Sequence, residues 1–296
     1  MHNPYLLNFP HISPPYCYRC PWNKTYPGCD MACAYELRRL IRQLGPENVS
    51  AFIAEPIIGT TLAATVPPSE YYPIIRQICD DHDVLFIADE VLTGVGRAGT
   101  KWAIEQWDVT PDIITAAKGL SSGYIPLAAT IVGENVWQAV AAGSQTVMHS
   151  TTFGGNPLSC AVGAAVLDYI EEHDLITRAS TMGNYLLRTL QARLGELPYV
   201  GEVRGRGMLI GLELVEDKTT KAPFPVDLDV THRVVNKAFD NGLLVLGGVP
   251  GTIDGVEGDH IQLSPPYIIT EDQVQFIADV MRTSIMEAVD EIRSIR

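Results

Sequence analysis

Two short apolar runs, each delivered onto a reactive side chain, constrain this sequence more than anything else in it. Val84-Leu-Phe-Ile-Ala-Asp89 reads as a buried strand that ends on a carboxylate. Asp112-Ile-Ile-Thr-Ala-Ala-Lys118 reads as a second strand that ends, after two alanines, on an amine. Apolar runs of this length, too short for a helix, suit strands buried on both faces of a parallel sheet. In open α/β sheets the ligand chemistry sits at the carboxyl ends of the strands.

The rest of the chain supplies the crossovers. Helical spacing runs from Met31 to Leu44, Ser69 to His82, over 157–173, over 178–195 and from Val230 to Asn241. Strand-like runs cover Val49 to Ala54, Leu127 to Val132, Met208 to Val215, Leu243 to Leu246 and Ile261 to Ser264. Asn156-Pro157 has the form of a helix start, because Asn caps well and Pro suits the first turn. Thr270-Glu-Asp-Gln273 has the capping-box form. Strands alternating with helices point to a parallel sheet, so the fold class is α/β. The pattern changes beyond His173. Two domains are expected: 1–173, including the connecting helix 157–173, and a smaller α+β unit over 174–296.

The 296 residues carry a formal charge of −14, which argues against non-specific binding to nucleic acid or to anionic membranes. No apolar run approaches the length of a membrane span. The opening Met1-His-Asn-Pro-Tyr-Leu-Leu-Asn-Phe-Pro lacks the basic-then-apolar form of a secretory signal, and the expected location is cytoplasmic. Four cysteines, Cys17, Cys20, Cys29 and Cys33, crowd the start. Their spacing suits either a zinc site or reduced thiols in a loop-rich segment, and no metal is assigned. Cys79 and Cys160 fall on helices and read as core.

Three motifs compete around the two strands. Gly94-Val-Gly96-Arg-Ala-Gly99 matches a dinucleotide fingerprint, but Asp89-Glu90 separates it from the strand and no helix opens after it, so a loop is expected. Gly119-Leu-Ser121-Ser-Gly123 matches a hydrolase elbow, but Pro126 blocks the helix that elbow requires. The third is the Asp89/Lys118 pair. Its flanking Ala88, Ala116, Ala117 and Gly119 leave room for a flat ring, and a desolvated Lys there suits covalent bonding to a carbonyl. An acid for a ring nitrogen and an amine for covalent attachment point to pyridoxal phosphate. Further on, His149-Ser-Thr-Thr152-Phe-Gly-Gly-Asn156 suits either a phosphate at a helix N-terminus or a capped glycine turn. Val203-Arg204-Gly-Arg206-Gly207 suits either a carboxylate clamp or a solvated basic turn ahead of a strand.

Taken in order, Ala54-Glu55-Pro56-Ile57-Ile-Gly59, Ala88-Asp89-Glu90-Val91, Gly94-Val-Gly96-Arg97, Thr115-Ala-Ala-Lys118-Gly119, Thr152-Phe-Gly-Gly-Asn156-Pro157 and Val203-Arg204-Gly205 resemble the class III pyridoxal phosphate-dependent aminotransferases, of fold type I in the aspartate aminotransferase superfamily. The likeness runs from about residue 50 to the C-terminus. It implies that Lys118 bonds the cofactor and shuttles a proton, and that Asp89 pairs with the pyridine nitrogen. It also implies that Val91 packs on the ring, Glu55 orders the site from behind, and Arg204 binds the substrate carboxylate. Thr152 would reach the cofactor phosphate of a neighbouring subunit, which implies a homodimer with shared sites.

Leu92 and Thr60 stand where many 2-oxoglutarate-using members carry Gln and Glu. They resemble instead the pyruvate-using ω-amino acid or amine transaminases. The family also carries a longer N-terminal part with a Gly/Ser-rich helix start for the phosphate and an aromatic on the ring. The first 45 residues here contain no such segment. The expectation is therefore a partial large domain joined to a small C-terminal one. The reaction expected is amino transfer from an amino acid or ω-amine to a 2-oxo acid. The alternatives are a non-catalytic fragment or partner subunit, a decarboxylating transaminase, or a phospho-lyase.

Overall fold

A computed structural model describes residue 7 and residues 9–248 and 251–295. The opening residues read above for a leader lie mostly outside the described ones. The first half contains α1 (Ala32–Leu44), β1 (Ala51–Ala54), α2 (Tyr71–Asp81), β2 (Leu85–Asp89), β3 (Ile113–Ala116) and β4 (Ala129–Val132). The strands form one sheet in the order β1-β2-β3-β4, with β1, β2 and β3 parallel. β4 runs antiparallel to β3, and the connection between them, residues 117–128, includes the 3-10 turn Lys118–Ser121 but no crossover helix.

α1 and α2 cover one face of this sheet. Leu37, Ile41, Ile75 and Ile78 pack there against Phe86 and Ala88. Alternation sends Ile53, Ile87, Asp89, Ile113 and Thr115 to the opposite face. That face is only partly covered, and Ile53 is 56 % exposed. The chain then forms α3 (Glu134–Ala142), which the sequence reading missed between two glycines, and α4 (Pro157–Glu172). α4 is apolar on most sides yet buries only Gly163 and Ile170. Cys160 lies exposed on it, against the expectation of a core thiol, while Cys79 is buried as expected. Met148, Phe153 and Leu158 nearby also face solvent.

The second half contains α5 (Leu175–Leu194), β5 (Val200–Arg206), β6 (Leu209–Leu214), α6 (Val230–Asp240), β7 (Leu246–Gly247), β8 (Asp259–Leu263) and α7 (Glu271–Ile295). Its sheet is antiparallel throughout, in the order β5-β6-β8-β7. Residues 203–206 are strand, in which Arg204 and Arg206 pair with Gly211 and Leu209, so the basic-turn alternative does not describe them. Val203, Leu212, Ile261 and Leu263 turn one face onto α5, α6 and α7. The other face is polar. It carries Glu202, Glu213 and His260 in one row and Arg204, Gly211 and Gln262 in the next.

Both anticipated helix starts are capped. Asn156 Oδ1 accepts from the Leu158 and Ser159 amides at 3.1 Å each. Thr270 and Gln273 exchange side chain-to-amide bonds of 2.9 and 3.3 Å. Among the described residues no helix is long and apolar enough to cross a membrane.

Candidate active site

Parallel pairing brings the carboxyl ends of β1, β2 and β3 to one edge of the first sheet. Ala54 stands level with Ala88, so Glu55 and Asp89 leave adjacent strands side by side. Asp89 stands level with Thr115, so the two side chains share a face. The Thr115 hydroxyl donates to Asp89 Oδ1 at 3.2 Å, and the Val91 amide donates to the same oxygen at 3.1 Å. Two donors on one oxygen fix the plane of the carboxylate. Among the described contacts Oδ2 takes no part, which leaves it for a ring N–H. Thr115 had no assigned role in the sequence reading; its signal is the register, which only pairing reveals.

Lys118 opens a short 3-10 turn immediately after β3. Its φ of 43° lies in the left-handed region, which costs a side-chain-bearing residue about 1 kcal/mol or more. The 91–101 loop backs this turn: a Cβ on Gly119 would sit 3.3 Å from Val95 Cβ. This is a loop doubling back, as expected, and no phosphate-binding helix start. Arg97 holds it down by donating to the Met208 and Pro265 carbonyls at 3.1 and 2.6 Å.

Glu55 joins the group electrostatically. Its Oε2 accepts the Gly59 amide at 2.9 Å. Burial pushes its carboxyl above the usual range; the Gly59 bond opposes this, the Asp89 carboxylate adds to it and the Lys118 ammonium works against it. Glu55, Asp89 and Lys118 thus feel one another.

Other expectations fare differently. Lys118 is exposed rather than desolvated, because its neighbours are small and the adjoining sheet face is partly uncovered. Thr152 is exposed in the turn ahead of α4, and Asn156 already caps the Leu158 and Ser159 amides, which leaves the Thr152 hydroxyl rather than those amides free to meet a phosphate. Arg204 is 8 % exposed and fully engaged. It donates to the Ala63 and Leu62 carbonyls at 3.0 and 2.9 Å, to Glu202 and Glu213 at 2.6 and 2.9 Å, and to the Tyr16 hydroxyl at 3.3 Å. All five of its N–H donors are thus engaged within the protein. The six cysteines are free thiols, with burial pushing Cys33 up to about 11. Among the described residues no group of three or more His, Cys, Asp or Glu is arranged to hold a metal ion.

Comparison with known proteins agrees with this geometry. The class-III aminotransferase family model matches residues 2–285, so the likeness reaches well upstream of residue 50. The chain is 37 % identical over 280 residues to the uncharacterized aminotransferase YodT of Bacillus subtilis (strain 168), covering 95 % of this chain and 63 % of that protein. It is 37 % identical over 287 residues to the adenosylmethionine-8-amino-7-oxononanoate aminotransferase of Geobacter sulfurreducens, covering 94 % and 60 %. An amine transaminase from an uncultivated Pseudomonas species, solved in its PLP-bound form, superposes with a TM-score of 0.86 at 37 % identity, covering 94 % of this chain and 61 % of that one. The chain therefore spans about three-fifths of the length of these relatives. With its strand-end acid and amine and this match over nearly its whole length, the chain belongs to the class-III aminotransferase family.

Proposed function

We propose that this chain carries the acid-and-amine half of a pyridoxal phosphate-dependent transaminase site, in which 1–173 is the partial cofactor-binding domain and 174–296 the small one. The observation that carries the reading is the Asp89 carboxylate, oriented by Thr115 and Val91, beside the turn that presents Lys118. The residues fit the cofactor at two points. Asp89 Oδ2 would hold the pyridine nitrogen, and Lys118 Nζ would bond the aldehyde carbon, with Val91 and the alanines beside the ring. The bound cofactor supplies an electron sink for the carbanion formed at the substrate carbon. In this reading Lys118 moves the proton, Asp89 keeps the ring nitrogen protonated, and Glu55 sets the field around both.

The donor would be an amino acid or ω-amine and the acceptor a 2-oxo acid such as pyruvate. The amine transaminase among the similar structures supports this class of donor, as do Leu92 and Thr60. The site would work in the cytoplasm and in a homodimer, with Thr152 offered to the phosphate of the other copy.

One observation favours the second reading, that the chain by itself is a non-catalytic part or a partner subunit. Lys118 is exposed, and the face of the sheet that bears Asp89 is partly uncovered. Parallel sheets are otherwise buried on both faces. The test is to mix the purified protein with pyridoxal phosphate, reduce with borohydride and map the label. The result expected is a label on Lys118 that Lys118→Ala abolishes, followed by amino transfer to pyruvate. A label but no turnover supports the second reading. No label at all overturns the first.

A further inference from the structure

The turn between β1 and α2 is strained, and side chains from the distant second sheet hold it. Ile58 and Thr65 exchange amide-to-carbonyl bonds of 3.0 Å each across its base. At its tip Ala63 and Ala64 have φ of 43° and 56°, both in the left-handed region. Two consecutive alanines there are strained, and such geometry persists only where the surroundings over-determine it. The determinants come from the polar face of the second sheet. Arg204 donates to the Leu62 and Ala63 carbonyls. β6 presses so close that a Cβ on Gly211 would lie 1.8 Å from the Ala63 oxygen.

His260 completes the clamp. It is fully buried on β8, and its Nε2 lies 2.8 Å from the Thr60 carbonyl. A carbonyl only accepts, so Nε2 carries the proton and donates. Room for the ring comes from Gly248, where a Cβ would fall 1.8 Å from Nε2. Asp259 next to it is already committed to the Thr231 amide and hydroxyl at 3.0 and 2.7 Å. Burial and the Arg204 guanidinium favour the neutral ring, while the bond to Thr60 and the Asp259 charge oppose them. Nδ1 is buried with no partner among the described residues, so the ring's one hydrogen bond is the one to Thr60.

We propose that His260 is a positioning residue for the active site: its bond to the Thr60 carbonyl fixes the strained turn whose Gly59 amide anchors Glu55 beside Asp89 and Lys118. The relay is short. Thr60 follows Gly59, and Gly59 N–H is the bond that orients the Glu55 carboxylate. A side chain of the second sheet thereby sets the field at the carboxyl edge of the first. The functional consequence rests on the cofactor reading above, while the structural one does not.

The test is amide hydrogen exchange by mass spectrometry on the cofactor-free protein, comparing His260→Gln with His260→Asn. A Gln amide nitrogen reaches the place of Nε2, whereas an Asn amide nitrogen reaches only that of Nδ1. The peptide carrying Ile58, Gly59, Ala64 and Thr65 is expected to exchange about fivefold faster in the Asn variant, as for one lost hydrogen bond, and at the wild-type rate in the Gln variant. Peptides of α7 report whether the second half stays folded, and their exchange should match wild type in both variants. Pyridoxal phosphate should then dissociate several-fold more readily from the Asn variant and as in wild type from the Gln variant. Equal exchange of the turn in wild type and Asn variant overturns the proposal, as does equal loss of protection in both variants. Failure of the wild type to bind the cofactor would sink the functional reading but leave the exchange result to decide the clamp.

Discussion

The Thr115 hydroxyl on β3 donates to the Asp89 carboxylate at the end of β2, across 3.2 Å. The bond joins neighbouring strands at the edge where the amine also emerges, so it orients the acid relative to Lys118. Hydrogen bonds to a charged acceptor contribute about 1.5–3 kcal/mol. Thr115→Val keeps the β-branched shape and removes the donor. Affinity for pyridoxal phosphate should fall about tenfold or more in an equilibrium titration, with little change in urea midpoint. An unchanged affinity would show that the Val91 amide alone suffices to hold Asp89.

Gly59 owes its identity to a close approach. A Cβ there would lie 2.2 Å from Leu92 Cδ2 and 2.9 Å from Glu55 Oε2. Gly59→Ala should destabilise the protein by about 1–3 kcal/mol through overpacking. Denaturant unfolding measures this, and Gly59→Ala/Leu92→Ala should recover much of the loss, since the clash is with the leucine.

Arg204 separates two roles that a kinetic assay alone would confuse. Its guanidinium neutralises Glu213, whose side chain is fully buried and also paired with Arg19. Arg204→Met should cost about 1–3 kcal/mol of stability, through the Ala63 and Leu62 carbonyls left without their donor; Glu213 keeps Arg19, and burial already pushes its carboxyl up to about 8. A residue that only bound substrate carboxylate would leave the melting temperature unchanged and raise KM for acidic substrates. Calorimetry of the variant without substrate tells the two apart.

Asp112 gives the fold an acid-sensitive joint. Its Oδ2 accepts the Phe86 amide and Arg76 at 2.7 Å each, and its Oδ1 accepts Asn135 at 2.7 Å, tying β2, α2 and α3 to the start of β3. Burial pushes its carboxyl up, but these donors outweigh burial and hold it below the usual range. A depressed folded-state value contributes stability above the unfolded value of about 3.9, and that contribution is lost as pH falls through the folded one. Asp112→Asn should lower the melting temperature at neutral pH and lose less than wild type as the pH falls below about 4. Parallel acid limbs for the two proteins would count against the linkage.

How much of this was legible beforehand depends on the distance over which a residue finds its partner. Asp89 and Lys118 were readable because each ends its own apolar run, and a run of buried strand announces itself through its nearest neighbours. The caps at Asn156 and Thr270 were readable for the same reason, since each side chain bonds amides within its own first turn. α3 escaped because a short alanine-rich stretch between glycines carries little periodicity. Arg204 read equally well as a clamp or a turn because nothing local reveals that Glu213, Leu62 and Tyr16 converge on it.

The sequence by itself determined the two strands, the acid and amine at their ends, and the family to which those motifs belong. Tertiary structure alone decided that Thr115 orients Asp89, that Arg204 is consumed inside the protein, and that Lys118 stands open to solvent. It alone brought His260 to Thr60, two residues 200 apart in the chain. The physical reason is that side-chain type and spacing encode which local conformation is cheap. Whether a charge is paired, or an amine covered, depends on groups that only the packing of the second sheet against the first brings within a few ångströms.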